Sequence, residues 1–128
     1  MALSIDENGT ITMYQGDTGY IYATGIDPEK QYRMYLAIYN NKRQPVGEEI
    51  MREAKNVEQV EFKIDVALSN LLTVPLNKEY ETYYYGIKQN ELGTANADTM
   101  FVGDGTYGDI YEINVYPRKV VGYLGGVA

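Results

Sequence analysis

The residue types that carry most enzyme chemistry are scarce in this sequence. The chain has 128 residues with no histidine and no cysteine, which excludes histidine-based triads, thiolate nucleophiles and Cys/His zinc sites. Neither serine, Ser4 or Ser69, stands in the G-x-S-x-G context of a nucleophile elbow. The sequence also lacks a Walker loop and a dinucleotide-binding glycine motif. We therefore predict that the protein is not an enzyme and needs no cofactor.

Carboxylates in glycine-rich loops are a weak exception. Asp17 lies in "GDTG", and Asp104 and Asp109 lie in "GDGTYGD". Oxygen ligands at such spacing can bind Ca²⁺, although neither loop matches an EF-hand. Asp-Gly pairs are also what a tight β-turn requires. We favour the turn and keep Asp17, Asp104 and Asp109 as weak candidate calcium ligands.

Tyrosine is the most unusual component, with 14 residues against two phenylalanines. The stretch "YETYYYGIKQN" contains Tyr80, Tyr83, Tyr84 and Tyr85. Tyrosine suits a pleated surface because its ring is apolar and its hydroxyl is polar. Such a run can pack within a sheet, contact another protein or stack on a sugar. We favour core and cross-strand packing for the run as a whole, and keep protein contact through the outward tyrosines and stacking on a sugar or other ligand as alternatives.

Alternating apolar and polar residues predict the strands that position these side chains. The clearest runs are "QYRMYLAIYN", "VEQVEFKID", "YETYYYGIK" and "IYEINVYP". Their inward residues are predicted to be Tyr32, Met34, Leu36, Ile38, Val60, Phe62, Ile64, Tyr83, Tyr85, Ile87, Tyr111, Ile113 and Val115. The opening "TITMYQGDTGYIYATG" predicts two short strands around a tight corner. We interpret "EEIMREAKN" as an edge strand.

The connecting segments carry turn and capping signals. "NNKRQPVG" predicts a hairpin loop, and "QNELGTANADT" predicts a polar loop. "DVALSNLLTVP" predicts a short helical turn, with Asp65 as its N-cap and Pro75 as its stop. In immunoglobulin-like sandwiches, a tyrosine near the start of a late strand often bonds back to the preceding corner. Tyr80 and Tyr83 are the candidates for that bond.

These features predict an all-β fold, an antiparallel immunoglobulin-like β-sandwich of about seven to eight strands with one short helical turn. A barrel or jelly roll is the alternative. The length predicts a single domain over residues 1–128. We divide it into an N-terminal arm (1–8), the sandwich (9–120) and an apolar, glycine-rich C-terminal tail (121–128).

The charge and the N-terminal sequence narrow the partners and the location. A net charge of −7 disfavours nucleic acid, whose phosphates would repel the protein. The start "MALSIDENGT" has neither the basic nor the apolar region of a signal peptide. No apolar run approaches the roughly 18 residues that span a bilayer. We expect synthesis in a reducing cytoplasm and no membrane partner.

The segment "ITMYQGDTGYIYATG" resembles the N-terminal pattern of baseplate and accessory proteins of tailed bacteriophages that infect Gram-positive hosts. The later order is also similar, with "VEFKID", "ALSNLLTVP", "YETYYYGIK" and "INVYPRKV" in sequence, so that the resemblance covers most of residues 9–120. It implies a virion structural module without catalytic residues, either a head decoration or head-fibre protein or a baseplate or tail adaptor. Because the chain stops soon after the sandwich, we expect a head or neck location.

The resemblance implies that the partners are other virion proteins, and that the chain is a homo-oligomer or is bound to the particle. The expected contact residues are the outward tyrosines and two residues of the tail, namely Tyr20, Tyr22, Tyr35, Tyr39, Tyr84, Tyr123 and Leu124. The alternative is a carbohydrate-binding or adhesin-like module. The absence of tryptophan, the preferred residue for stacking on sugars, argues against it.

Overall fold

The computed structural model describes residues 3–5, 10–102 and 111–118. In chain order its elements are β1 (Leu3–Ile5), β2 (Ile11–Tyr14), β3 (Gly19–Thr24), β4 (Gln31–Tyr39), β5 (Ile50–Lys55), β6 (Gln59–Ile64), α1 (Val66–Asn70), β7 (Glu81–Glu91), β8 (Ala97–Val102) and β9 (Glu112–Tyr116). These nine strands exceed the predicted seven to eight. One extra strand is β1, which pairs with β2 and so places residues 3–5 in a sheet, within the segment predicted as an arm.

Two sheets form an all-β, immunoglobulin-like sandwich. The larger sheet has the order β1-β2-β9-β7-β4-β5, and β8 shares one edge of β7 with β9. The smaller sheet contains β3 and β6. In the described part of the chain, all strand pairings are antiparallel except that of β2 with β9, which is parallel.

One hydrophobic core lies between the sheets and confirms the predicted inward faces. On β4 and β6, buried and more exposed residues alternate with a period of two, and Phe62, Met34 and Leu36 are almost fully buried. Tyr83, Tyr85 and Ile87 of β7 belong to the same core. Tyr111 is only partly buried and packs edge-on against Tyr85, with ring centres 5.8 Å apart. Burial of this apolar surface is the main force that joins the two sheets.

The helix α1 confirms one capping prediction and corrects the other. The Asp65 side chain accepts a hydrogen bond from the Leu68 amide at 2.8 Å, as an N-cap does. The helix ends at Asn70, before the predicted stop at Pro75. The Leu71 amide donates to the Leu68 carbonyl, which closes a tighter turn than that of an α-helix, and Leu72 is then fully buried in the core. Within the described residues, no helix is long and apolar enough to cross a membrane.

A tyrosine hydroxyl ties β7 to the corner that precedes it. The Tyr83 hydroxyl donates a hydrogen bond to the Thr73 carbonyl at 2.7 Å, while its ring lies in the core. Tyr83 is therefore the residue that makes the predicted corner bond. The other candidate, Tyr80, is 43% exposed and packs on Tyr116.

The segment "QNELGTANADT" is mostly a hairpin, and its prediction as a polar loop was wrong. β7 continues to Glu91, and β8 begins at Ala97, which is the register partner of Asn90. The turn between them uses Gly93 at φ +80°, a conformation that favours glycine. Alternation does not indicate a strand here, because the last residues of β7, Gln89, Asn90 and Glu91, are all polar and so both faces of the strand end are polar.

We expect Tyr83→Phe to lower the free energy of unfolding by about 1 kcal/mol, because it removes one hydrogen bond and leaves the Thr73 carbonyl unpaired. Urea unfolding followed by far-UV circular dichroism measures the change. Tyr22→Phe, at a side chain that is 44% exposed, is the matched control and should have little effect. Equal stability of the two variants would contradict a stabilising role for the corner bond.

Candidate functional site

The predicted contact tyrosines point outward, but they lie on two opposite faces of the sandwich. Tyr35, Tyr39 and Tyr84 lie on the outer face of the larger sheet, and Tyr20 and Tyr22 lie on the outer face of the smaller one. Because the inner faces of both sheets share one core, their outer faces point away from each other. These five residues therefore do not form a single surface. Tyr123 and Leu124 lie outside the described residues, and their role stays a prediction.

The outer face of the larger sheet carries most of these tyrosines, and we call it the tyrosine face. Tyr39 is the register partner of Tyr84, and their rings stack with centres 6.2 Å apart. Outward residues of this face are Thr12, Tyr14, Tyr35, Ala37, Tyr39, Thr82, Tyr84, Gly86, Lys88, Asn114 and Tyr116, with Tyr80 just before β7.

Sequence reasoning missed a second aromatic cluster on this face. The Tyr116 ring centre lies 5.3 Å from that of Tyr80 and 5.9 Å from that of Tyr14. Tyr14 is 46% exposed, so the cluster presents aromatic surface to solvent. Alternation with the buried residues Met13 and Val115 indicates that Tyr14 and Tyr116 point outward, but it does not indicate that they meet.

A polar row separates the cluster from the Tyr39–Tyr84 stack. Thr82 pairs in register with Asn114, which in turn pairs with Thr12. The Thr82 hydroxyl donates to the Asn114 side-chain oxygen at 2.7 Å. Cross-strand hydrogen bonds of this kind fix side-chain positions on a sheet. The face is thus a rigid, mixed surface with aromatic and polar rows.

A groove crosses the tyrosine face where its side chains are smallest. Ala37 is the register partner of Gly86, and each is flanked along its strand by long side chains. The resulting groove has a volume of about 540 Å³ and is lined by Tyr35, Ala37, Tyr39, Glu49, Gly86, Ile87, Lys88 and Asn90. The Asn90 side-chain oxygen is buried and has no hydrogen-bond partner among the described residues. The groove can therefore receive an apolar ring or ridge, while the Asn90 side-chain oxygen itself is shielded from solvent.

Two ion pairs lie on or next to the strands that carry the groove, Lys30–Glu91 and Lys55–Glu53. Lys30 lies 3.1 Å from Glu91, and its hydrogen bond is the main reason why the pKa of Glu91 lies below its ordinary value. On β5, the hydrogen bond from Lys55 at 2.9 Å is likewise the main reason why the pKa of Glu53 is lowered. These pairs are exposed to solvent and add little stability. Each pair joins one positive and one negative side chain, so together they add no net charge to this part of the larger sheet.

The "GDTG" segment is a corner that crosses from one sheet to the other. Gly16 adopts φ +90°, and its amide donates to the hydroxyl of the fully buried Ser69 at 2.8 Å. The Gln15 side chain donates to the Asn70 carbonyl at 3.0 Å. The predicted tight corner between β2 and β3 is confirmed, and its strands belong to different sheets. Anchoring on α1 explains the placement of Gly16 without any bound ligand.

The calcium candidates do not assemble in the described part of the chain. Asp17 sits in the corner, where its amide bonds to the Tyr14 carbonyl at 3.1 Å. In residues 3–5, 10–102 and 111–118, no group of three or more acidic residues is close enough to hold a metal ion. Asp104 and Asp109 lie outside the described residues, so a cation at that loop stays a prediction.

Comparison with known proteins supports the fold and leaves the function open. No protein-family model matches the sequence, and no curated protein matches it. The structure is similar to the crystal structure of the periplasmic chaperone SfaE, with a TM-score of 0.60 and 12% sequence identity. The similarity covers 95% of this chain and 59% of the SfaE chain. At such low identity the likeness shows a shared immunoglobulin-like fold alone.

We expect Ser69→Ala to lower the free energy of unfolding by about 1–3 kcal/mol, because it leaves the partly buried Gly16 amide without its partner. Urea unfolding measures the change. Thr24→Val, which removes an exposed hydroxyl of β3, is the control and should stay within about 0.5 kcal/mol of the parent. An unchanged midpoint for Ser69→Ala would show that the corner is held by other contacts.

Proposed function

We propose that this chain is a non-enzymatic structural protein of a tailed-bacteriophage virion, which docks on other virion proteins through its tyrosine face. The proposal includes a head decoration or head-fibre role at the capsid or neck, and a role at the baseplate or tail. The observation that carries it is the tyrosine face itself, with a stack, an exposed cluster and a groove on one rigid sheet.

The chemistry of the face suits contact with another protein. Tyrosine is enriched at protein interfaces because its ring supplies apolar contact area while its hydroxyl bonds to polar groups. Tyr14 and Tyr80 are 46% and 43% exposed, so a partner would remove considerable aromatic surface from water. The register of β4 and β7 fixes the backbone positions of Tyr35, Tyr39 and Tyr84, and the stacking of Tyr39 on Tyr84 restricts their rotamers, which reduces the side-chain entropy lost on docking.

The remaining support comes from the fold and from the sequence resemblance. A small sandwich provides a stable platform with loops at both ends, which suits a module that decorates a larger particle. The net charge of −7 keeps such a module soluble before assembly. The resemblance to phage baseplate and accessory proteins supplies the virion context. Synthesis in the host cytoplasm followed by incorporation into the virion fits this role.

A carbohydrate-binding role is the second candidate, and the groove favours it. Tyr35 and Tyr39 flank a floor made by Ala37 and Gly86, on which a sugar ring could stack. A glycan array at high protein concentration separates the two functions. Specific signals that disappear on substitution of Tyr35 and Tyr39 would favour the carbohydrate role.

We expect the double variant Tyr35→Ala, Tyr39→Ala to bind virion particles at least about tenfold more weakly, since central interface tyrosines each contribute more than about 1 kcal/mol. Co-sedimentation with particles of the phage that encodes the chain measures binding, and circular dichroism verifies the fold. Leu76→Ala, at an exposed leucine outside the tyrosine face, is the control.

A second variant covers the case in which the double variant fails to fold. Lys88→Glu reverses an exposed charge on the wall of the groove and leaves the core intact. It should also weaken co-sedimentation. Wild-type binding by both variants, each shown to be folded, would contradict docking through the tyrosine face.

A further inference from the structure

The edge strands of the sandwich differ in how they are protected against pairing with another chain. Natural sheets protect their edges with short strands, charged residues or proline. β1 has only three residues, and the other edge strands carry charged residues: Arg52, Glu53 and Lys55 on β5, Glu61 and Lys63 on β6, and Asp98 on β8. The exception is β3, whose sequence "GYIYAT" has no charge and no proline.

One edge of β3 has no strand partner among the described residues. Among the described residues, β3 pairs only with β6, so one of its edges presents backbone groups without a strand partner. Ile21 and Ala23 are buried in the core, which fixes the strand in an extended conformation. A two-stranded sheet is small, and added strands stabilise it. Main-chain hydrogen bonds to an incoming strand would complete this sheet.

We propose that β3 pairs antiparallel with β3 of a second copy of this chain, and that the two small sheets thereby become one four-stranded sheet. The inference rests on the assembly role proposed above and names the surface through which the protein self-associates. A second copy is the occupant that β3 itself specifies. An added strand must place outer residues beside Tyr20 and Tyr22 and inner residues beside Ile21, and β3 has that alternation.

The alternation limits the register to pairings of outward residues with outward residues, and among these a two-fold axis at Ile21 gives two tyrosine pairs. With the two-fold axis at Ile21, Tyr20 lies opposite Tyr22 of the second copy, and Gly19 lies opposite Ala23. A shift of one residue would place the outward Tyr20 opposite the inward Ala23, which the two faces of a sheet do not allow. Tyrosines directly opposite each other on adjacent strands form favourable cross-strand pairs.

Charges on β6 are compatible with this register. Lys63 is the partner of Tyr20 within one copy, and Glu61 is the partner of Tyr22. Each outer row of the four-stranded sheet would therefore run from Lys63 through two tyrosines to Glu61 of the other copy. No like charges face each other across the seam, although the net charge of −7 on each copy opposes association at long range.

Two double variants at the same positions test the pairing. In Tyr20→Lys, Tyr22→Lys, like charges would lie directly opposite at both tyrosine pairs of the seam. In Tyr20→Glu, Tyr22→Lys, opposite charges would lie there, and within one copy Glu at 20 would face Lys63 while Lys at 22 would face Glu61. The first variant changes the net charge from −7 to −5, so overall repulsion cannot explain a loss of dimer. The second leaves the net charge at −7.

Sedimentation velocity over a range of concentrations measures the dissociation constant of the dimer. We expect the wild type to dimerise, the lysine–lysine variant to dimerise at least tenfold more weakly, and the glutamate–lysine variant to dimerise as well as the wild type or better. A monomeric wild type overturns the inference, and so does equal dimerisation of the two variants.

Hydrogen exchange on the wild type keeps the test valid if a variant fails to fold. Amides of β3 should become more protected as protein concentration rises, while those of β5 should not change. Equal behaviour of the two strands overturns the inference.

Particle co-sedimentation, which depends on Tyr35 and Tyr39 on the opposite face, reports separately on the proposed function. Loss of particle binding with the dimer intact would reject only that function.

Discussion

The register between β4 and β7 is the constraint on which the rest of the molecule depends. Eight registered pairs, from Tyr32↔Glu91 to Tyr39↔Tyr84, join these two central strands. A slip of one residue would move Met34, Leu36 and Ile38 from the core to solvent and turn Tyr35 and Tyr39 inward. The large loss of apolar burial makes the register unique. The position of every tyrosine on the central part of the tyrosine face follows from it.

The corner at Gly16 plays the corresponding role between the sheets. The chain must leave β2 in the larger sheet and enter β3 in the smaller one within a few residues. The buried Ser69 hydroxyl satisfies the Gly16 amide at the sharpest point of that turn, and Asp65 caps the helix that carries Ser69. An unpaired amide there would be costly because the site is partly buried. Local capping chemistry thus fixes how the two sheets meet.

Features with local physical causes could be predicted from the sequence. The inward faces of β4, β6 and β7, the Asp65 cap and a corner bond by either Tyr80 or Tyr83 each depend on residues close together in the chain or on a period of two, and the structure selects Tyr83 for the bond. The grouping of strands into sheets could not be predicted from the sequence, because β3 has the same alternation as β4 although it belongs to the other sheet. That grouping decides which tyrosines are neighbours.

The candidate site was therefore only partly predictable. Tyr35, Tyr39 and Tyr84 were expected to point outward, and the structure brings them to one face. The cluster of Tyr14, Tyr80 and Tyr116 depends on the parallel pairing of β2 with β9, strands about a hundred residues apart in the chain. The groove depends on Ala37 meeting Gly86 across two strands. No short sequence pattern indicates such non-local meetings.

The parallel pairing of β2 with β9 has a mechanical consequence. Parallel strands begin at one end of their pair and finish at the other, so tension between the start of β2 and the finish of β9 is directed along the strands. This tension would first separate β1 from β2. The backbone hydrogen bonds along the registered pairs from Ile11↔Ile113 to Tyr14↔Tyr116 would then carry the force together, in shear. In a hairpin pulled at its open end, by contrast, the hydrogen bonds break one at a time. We therefore expect the pairing of β2 with β9 to resist tension that is applied along the chain.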